Sequence, residues 1–304
     1  MKFLVTGGAG FIGSHLTEYL VKQGHSVVVV DNLHSGKLKN ISNISKYQVE
    51  FFKLNILEQK KLKEVAKNVD GIFHEASLTS VQESLIKKTD YYNVNVIGTE
   101  NIFMIAKELG IKVVFASSAA VYGNVKKIPI SENFKRKPQN PYGETKMKAE
   151  LLAEKYSQLG TQIIGLRYFN VYGPRQNDAY AGVITKFLEN ISKHTSPLIH
   201  GDGLQIRDFV YVGDVVTANL LAMKSKTKQR FFNIGTGVAT SILDLAAMII
   251  DASGLSIMPI YDEPLTGDVY ASQADISLAK SLLAWKPETH LENWIYKFVN
   301  SMKK

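Results

Sequence analysis

Short apolar segments alternate with amphipathic segments through the first half of the chain. The apolar segments are typical of strands that lie in a parallel sheet and are covered on both faces. They predict strands at Lys2–Thr6, Val27–Asp31, Val49–Lys53, Gly71–His74, Val113–Ser117 and Gln162–Arg167. Apolar residues spaced three or four positions apart predict helices between them, at Ile12–Gln23, Asp90–Leu109 and Tyr142–Leu159. This alternation predicts an α/β fold with a doubly wound parallel sheet.

The second half of the chain has a looser pattern. After about Tyr168 the loops are longer and richer in glycine and proline, which predicts a first domain at residues 1–168 and a smaller α/β substrate-binding lobe at 169–304. Within that second half, Val212–Lys224 and Phe231–Ile234 form one more helix–strand unit. We therefore expect the chain to rejoin the first domain at about residues 207–235.

The composition excludes several classes of protein. The chain has no cysteine, which excludes disulfides, cysteinyl metal sites and thiol catalysis, so we predict no bound metal and a cytoplasmic protein. It has no apolar run long enough to predict a membrane span. The net charge of +8 comes mainly from dispersed lysines, since only five of the 36 basic residues are arginine. Nucleic-acid sites usually cluster basic charge on one face, so we expect no nucleic-acid partner.

A glycine-rich loop, Gly7-Gly8-Ala9-Gly10-Phe11-Ile12-Gly13, follows the first predicted strand and opens the first predicted helix. Glycines at this spacing permit a tight turn and let backbone N–H groups approach a pyrophosphate at a helix N-terminus. Asp31 ends the second predicted strand, 18 residues after Gly13. A carboxylate there can accept the ribose hydroxyls of NAD and would repel the 2′-phosphate of NADP. The pattern predicts a Rossmann-type NAD site.

A second pattern combines a serine, a tyrosine and a lysine. Ser118 directly follows the strand predicted at Val113–Ser117, whereas Tyr142 and Lys146 lie four residues apart on one face of the next helix. A lysine ammonium beside a phenol favours the phenolate and lowers its pKa from about 10. Such a tyrosine can remove the proton of an alcohol while NAD⁺ oxidises the carbon. We therefore predict Ser118, Tyr142 and Lys146 as catalytic residues.

These motifs and several others resemble those of one enzyme family. The segments that carry the resemblance are Gly7–Gly13, Asp31, Ser118–Gly123, Pro141–Lys146, Arg167–Asn170 and Arg207–Phe209. Together they are similar to the extended short-chain dehydrogenase/reductases, and within these to the UDP-glucose 4-epimerase group of NAD-dependent epimerases/dehydratases. The resemblance runs from Met1 to about Trp285. It implies tightly held NAD, a nucleotide-sugar substrate and a homodimer.

The resemblance also implies roles for particular residues. Tyr142 would be the base, Lys146 would bind the nicotinamide ribose, and Ser118 would orient the reacting hydroxyl. The implied NAD-binding residues are Gly7, Gly10, Phe11, Ile12, Gly13, Asp31, Asn32, Asn55, Ile56, Ala76, Asn95, Tyr142, Lys146 and Tyr168. The implied substrate-binding residues are Ser118, Tyr142, Asn170, Arg207, Asp268 and Ser272.

The residues after Ser118 favour one reaction. Related dehydratases place acidic residues there, whereas this chain has Ala119 and Ala120, which can neither donate nor accept a proton. A 4-keto intermediate could then only return to an alcohol, which predicts a 4-epimerase acting on UDP-glucose and UDP-galactose. In similar enzymes the position of Ser272 gates the pocket beside the C2 substituent. The small serine predicts that UDP-N-acetylglucosamine and UDP-N-acetylgalactosamine are also accepted.

Two departures from the family pattern concern binding. Asn55 replaces the usual aspartate near the adenine, and Leu265 replaces an arginine that usually reaches the substrate diphosphate; Arg175 could supply that charge instead. Alternative functions therefore stay open. They are 4-epimerisation of a uronic acid, 2-epimerisation of a CDP- or dTDP-sugar, and a non-catalytic NAD-binding regulatory role.

Overall fold

The computed structural model describes residues 1–45, 47–176 and 182–302. The strands are β1 (Lys2–Thr6), β2 (Ser26–Asp31), β3 (Val49–Lys53), β4 (Gly71–His74), β5 (Lys112–Ser118), β6 (Ile163–Tyr168), β7 (Asn170–Tyr172), β8 (Leu198–His200), β9 (Ile206–Arg207), β10 (Phe209–Tyr211), β11 (Phe231–Ile234), β12 (Thr240–Ser241) and β13 (Ile260–Asp262). The α-helices are α1 (Phe11–Lys22), α2 (Gln59–Ala66), α3 (Val81–Ile86), α4 (Lys88–Tyr92), α5 (Thr99–Leu109), α6 (Pro141–Gln158), α7 (Val183–Ser192), α8 (Val212–Lys224), α9 (Ile242–Ser253), α10 (Ser277–Leu283) and α11 (Leu291–Met302).

Within the described ranges, the central sheet has seven strands in the order β3-β2-β1-β4-β5-β6-β11. Every pair in it is parallel. The chain winds first to one side of β1 and then, from β4 onwards, to the other side. This reversal confirms the predicted doubly wound sheet, and it opens a crevice at the carboxyl ends of β1 and β4 where such folds bind ligands.

Side chains on the two faces of the sheet enter two separate apolar layers. On β1, Phe3 and Val5 pack in the layer that contains Leu16 and Leu20 of α1. Leu4 points the other way, into the layer that contains Phe103 of α5. A strand buried on both faces must be apolar at successive positions, which is why β1 has an uninterrupted apolar pattern.

The helix predicted at Asp90–Leu109 is not a single α-helix. The structure has α4, then a π-helical segment at Asn93–Gly98, and then α5. At Gly98 a Cβ atom would lie 2.5 Å from Cδ1 of Ile56, so a side chain there would displace that isoleucine. Wide turns of this kind often occur at functional sites. An apolar periodicity of three to four residues does not distinguish a π-turn from an α-turn.

Beyond Tyr168 the chain builds a second apolar core, which includes Phe187 of α7, Leu245 of α9 and Ile295 of α11. Small strand pairs lie beside it: β7 with β10, β8 with β13, and β9 with β12. By contrast, β11 joins the central sheet next to β6. We propose the division into a first domain and a smaller lobe on this basis. Among the described residues, none of the helices is both long and apolar enough to cross a membrane.

Candidate active site

The glycine loop forms a close-packed turn at the sheet reversal. Gly7 has φ +69°, and a Cβ atom on it would lie 2.7 Å from the backbone nitrogen of Ala76. A Cβ atom on Gly13 would lie 2.2 Å from the carbonyl oxygen of Gly7. Gly10 precedes α1, whose N-terminus no described side chain caps. The first N–H groups of α1 are therefore available to an anion such as a pyrophosphate.

Asp31 connects the glycine loop to the end of β2. Its Oδ2 atom accepts a hydrogen bond from the backbone N–H of Ala9 at 3.0 Å, and Oδ1 accepts one from Leu33 at 2.7 Å. Burial raises the pKa of Asp31, and these two hydrogen bonds oppose that shift. Each carboxylate oxygen has more than one acceptor position, so the side chain can also accept ribose hydroxyls.

A cavity of about 610 Å³ lies beside the glycine loop and runs to the ends of β4, β5 and β6. All of the predicted NAD-binding residues except Asn95 line it, and so does Ser118. Its glycine turn, uncapped helix end and the carboxylate of Asp31 in its lining fit a dinucleotide. Among the described residues, no group of three or more His, Cys, Asp or Glu side chains is arranged to hold a metal ion.

Asn95 is nearly fully buried within the π-helical segment and supports the cavity wall from behind. Its Oδ1 atom accepts hydrogen bonds from the Leu78 backbone (2.8 Å) and the Ser77 hydroxyl (3.0 Å). Its Nδ2 atom donates to Leu78 O at 2.9 Å and to Thr145 Oγ1 at 3.0 Å. The amide thus fixes a loop that lines the cavity to the helix that carries Tyr142 and Lys146.

The structure brings Ser118, Tyr142 and Lys146 together, as the sequence predicts. Ser118 ends β5, and its side chain lies close enough to the Tyr142 phenol to lower the pKa of that phenol. Lys146 is buried and donates to the carbonyl oxygen of Ala116 at 2.9 Å. Its Nζ atom lies 5.9 Å from the centre of the Tyr142 ring. Asn140 caps α6 by accepting from the N–H of Gly143, which fixes the start of the helix.

The pKa of Tyr142 differs from the sequence prediction. Burial raises it above its usual value, although the side chain of Ser118 acts in the opposite direction. The sequence predicts a lowered pKa from the spacing of Tyr142 and Lys146 alone. The spacing shows that the two residues share a helix face, but it carries no information on how far the phenol is removed from water.

Glu75 is a cavity residue that the sequence analysis does not identify. It directly follows β4 and lines the same cavity as the glycine loop and Lys146. The hydroxyl of Tyr168 donates to its Oε1 atom at 2.9 Å, and Asn219 Nδ2 donates to that hydroxyl at 2.7 Å. Burial raises the pKa of Glu75 to about 7, and burial lowers that of Lys146 to about 8. The available signal was a carboxylate directly after an apolar strand, at the sheet edge where ligands bind.

Of the predicted substrate residues, Ser118 and Tyr142 line this cavity, whereas Asn170, Arg207, Asp268 and Ser272 form a second group outside its lining. Arg207 NH2 donates to Asp268 Oδ1 at 2.6 Å, and the backbone N–H of Ser272 donates to the carbonyl oxygen of Ile206 at 3.0 Å. Asn170 opens β7 and pairs with Phe209 of β10, two residues after Arg207. The loop that carries Asp268 also reaches α6, because Asn140 Nδ2 donates to Gly267 O at 3.4 Å. The second group therefore adjoins the end of α6 that carries Tyr142.

The guanidinium of Arg175 lies against α1, where it donates to Glu18 at 2.5 Å.

The middle residue of the Arg207–Phe209 motif, Asp208, has a structural role. Asp208 is fully buried and accepts hydrogen bonds from Thr236, Gly237 and Ala274. It ties the connection between β9 and β10 to the end of β11 and so holds Arg207 in place.

A doubly wound sheet with a glycine loop at its reversal, and with serine, tyrosine and lysine at one cavity, defines an enzyme of the short-chain dehydrogenase/reductase class. The chain belongs to the NAD dependent epimerase/dehydratase family, whose model matches residues 3–235. The family predicted from the sequence is therefore confirmed.

Several members of this family are similar over their full length. The chain is 41% identical over 305 residues to a Methanocaldococcus jannaschii protein that carries a provisional name as a UDP-glucose 4-epimerase, covering 99% of this chain and 98% of that one. A Thermotoga maritima UDP-glucose 4-epimerase, solved with UDP-glucose, has a TM-score of 0.94 and 36% identity over 100% of this chain and 99% of that chain. A Methanobrevibacter ruminantium UDP-N-acetylglucosamine 4-epimerase, solved with UDP-N-acetylmuramic acid, has a TM-score of 0.93 and 35% identity over 98% of this chain and 97% of that chain.

Proposed function

We propose that this protein is an NAD-dependent 4-epimerase of nucleotide sugars that interconverts UDP-glucose and UDP-galactose. The observation that carries the proposal is that Ser118, Tyr142 and Lys146 line one cavity together with the glycine loop, with Lys146 Nζ 5.9 Å from the centre of the Tyr142 ring. Membership of the family and the likeness to 4-epimerases over the whole chain support the same reaction.

The side chains supply positioning and proton transfer. When bound, NAD⁺ supplies a hydride acceptor for C4 of the sugar and a cationic ring that favours a nearby phenolate. Tyr142 takes the proton of the C4 hydroxyl, and Ser118 hydrogen-bonds the same oxygen. Burial raises the pKa of Tyr142, and the ammonium of Lys146, 5.9 Å from the centre of its ring, favours the phenolate by its charge. The sugar passes through a transient 4-keto form. If it turns over before C4 is reduced again, the configuration at C4 is inverted.

The residues next to Ser118 favour epimerisation over elimination. Ala119 and Ala120 begin a short 3₁₀ turn directly after Ser118, and Ala120 donates its backbone N–H to Ser118 Oγ at 3.2 Å. Methyl groups at these positions offer no acid or base for loss of water from the 4-keto sugar. The intermediate is therefore retained until C4 is reduced.

We assign the second group of residues to the nucleotide sugar. Arg207 would bind the diphosphate together with Asn170, Asp268 would orient the guanidinium of Arg207, and Ser272 would lie beside the C2 substituent. Support comes from the Arg207–Asp268 ion pair and from the position of this group next to α6. A small residue at position 272 favours N-acetylated substrates as well as UDP-glucose.

We also propose a cytoplasmic homodimer. The absence of cysteine is consistent with a reducing compartment. Helices α5 and α6 pack against each other, and the exposed side chains around them include Tyr92, Ile97 and Leu151. Light scattering coupled to size exclusion tests the dimer. A Leu151→Glu variant should shift the mass towards that of one chain if this surface is the interface.

The test of the proposed function is a product assay without added NAD. Purified protein is incubated with UDP-glucose, UDP-N-acetylglucosamine, UDP-glucuronic acid or a dTDP-sugar, and proton NMR follows the C4 epimer. Conversion of UDP-glucose supports the proposal and shows that the protein carries its own cofactor. Conversion of UDP-glucuronic acid alone would assign a uronic acid epimerase. No conversion of any of them by NAD-loaded protein would reject 4-epimerisation of these sugars.

A further inference from the structure

The segment of residues 173–176 follows β7 and forms part of the cavity wall. Gln176 lines the cavity, as do Phe169 and Val171, which come shortly before it in the chain. Thr185 Oγ1 on α7 donates to Gln176 Oε1 at 2.7 Å, so this end of the segment is tied to α7. The mechanism above gives the segment no role.

The same segment is fastened to α1 by two contacts. His15 Nε2 donates to the carbonyl oxygen of Pro174 at 3.0 Å. Arg175 NH2 donates to Glu18 Oε2 at 2.5 Å, which makes an ion pair. The His15 ring also meets the edge of the Phe11 ring, with 6.1 Å between the ring centres, and Phe11 lines the cavity at the start of α1. The two contacts therefore join the cavity wall to the helix whose N-terminus would face the pyrophosphate.

The backbone at Arg175 shows that the segment is held in an unusual conformation. Its φ is +68°, in the left-handed region that favours glycine. A larger residue stays there only where its surroundings fix it, and such residues are common at ligand clamps. The side chains of Arg175 and Glu18 are each 28% exposed, so water screens their ion pair less than it screens a pair on the open surface. This ion pair can therefore hold the segment in place.

The proposed reaction gives such contacts a purpose. Hydride leaves C4 and returns to it within one turnover, so NAD is regenerated and has no need to leave the protein. Loss of the reduced cofactor before the hydride returned would leave a 4-keto sugar and an empty enzyme. Slow release of the cofactor is therefore an advantage to an epimerase, whereas a dehydrogenase must exchange its cofactor at each turnover.

We propose that His15, Glu18 and Arg175 form a clamp that holds residues 173–176 against α1 and so slows the release of NAD. This inference rests on the proposed function. The three side chains are positioning residues, because none of them lines the cavity and they act on the cofactor through the segment that they hold. NAD leaves when the segment moves away from α1, and that movement requires the ion pair and the hydrogen bond to break.

The experiment measures how fast the purified protein exchanges its bound NAD for isotope-labelled NAD, followed over time by mass spectrometry. Glu18→Gln and Arg175→Gln each remove one charge of the pair, so exchange should become roughly three- to tenfold faster in either variant. The double variant should be no faster than the faster single variant, because both lose the same pair. Arg175→Lys keeps the charge and should exchange more slowly than Arg175→Gln.

Lys22→Gln is the matched control for loss of charge around Glu18. Lys22 also pairs with Glu18, at 2.7 Å, but it is 69% exposed and lies on α1 itself. A surface pair of this kind contributes little, so its exchange rate should stay within about twofold of wild type. Melting temperatures of all the variants serve as a check on folding.

A salt titration tests the clamp without relying on the fold of a variant. Salt screens an ion pair, so raising NaCl from about 0.05 to 0.5 M should speed exchange more in wild type than in Glu18→Gln. Exchange needs no turnover, so these rates test the clamp even if the product assay rejects the epimerase function. Equal exchange rates in wild type, Glu18→Gln and Arg175→Gln, multiplied effects in the double variant, or the same salt effect in wild type and Glu18→Gln would each overturn the clamp and leave the epimerase assignment standing.

Discussion

Glu150 is the centre of a buried charged cluster that we define as Ser117, Arg136, Glu150 and Arg167. Its carboxylate is fully buried and accepts hydrogen bonds from Arg167 Nε and NH2 at 2.8 and 2.7 Å. Ser117 Oγ donates to it at 2.6 Å and Arg136 NH1 at 3.2 Å. Each strong contact comes from a different element, since Ser117 lies on β5, Arg167 on β6 and Glu150 on α6.

The variant Glu150→Gln keeps the shape of the side chain and removes its charge. Arg167 is also nearly fully buried, so in this variant its guanidinium would remain in the interior without the carboxylate charge that it now pairs with. Breaking a buried ion pair by removing one partner costs about 3–5 kcal/mol. We expect a loss of stability in this range, with a reduced kcat because Ser117, Glu150 and Arg167 are close in sequence to Ser118, Lys146 and Tyr168.

Urea unfolding followed by circular dichroism, with NAD content measured on the same samples, tests this prediction. Glu154→Gln is the matched control, because Glu154 also pairs with Arg136 (3.0 Å) but is 30% exposed. A surface pair of this kind contributes about 1 kcal/mol or less. If Glu150→Gln lost no more stability than Glu154→Gln, the assignment of a stabilising role to the buried cluster would be wrong.

Three other variants test the site. Gly7→Ala places a Cβ atom 2.7 Å from the Ala76 nitrogen at φ +69°, so the purified protein should contain little NAD. Full NAD occupancy, measured by absorbance and mass analysis, would contradict the role of Gly7 in the NAD-binding turn. Tyr142→Phe should lower turnover by roughly 10²–10⁴ with NAD still bound, and near-normal turnover in the NMR assay would refute the base assignment. Ser272→Tyr should reduce turnover of UDP-N-acetylglucosamine at least tenfold more than that of UDP-glucose; equal losses would exclude a gate at this position.

Local patterns in the sequence determined the sheet and the position of its ligand site. Parallel strands buried on both faces must be largely apolar, so β1 and β4 could be bounded from the sequence to the residue. The glycine loop was equally clear, because Gly7 has a positive φ and a Cβ atom on Gly13 would meet the carbonyl oxygen of Gly7. These features depend on neighbours in the chain, which a sequence shows directly.

Contacts between residues far apart in the chain decided the rest. Asn95 belongs to the wall of the site through bonds to residues 17 and 50 positions away, and Glu75 meets Tyr168 across 93 positions. The pKa of Tyr142 rises because of burial, which no spacing within α6 encodes. A residue type and its position therefore predicted which groups could take part in the chemistry. Only the tertiary structure decided how far each is removed from water and which charge faces it.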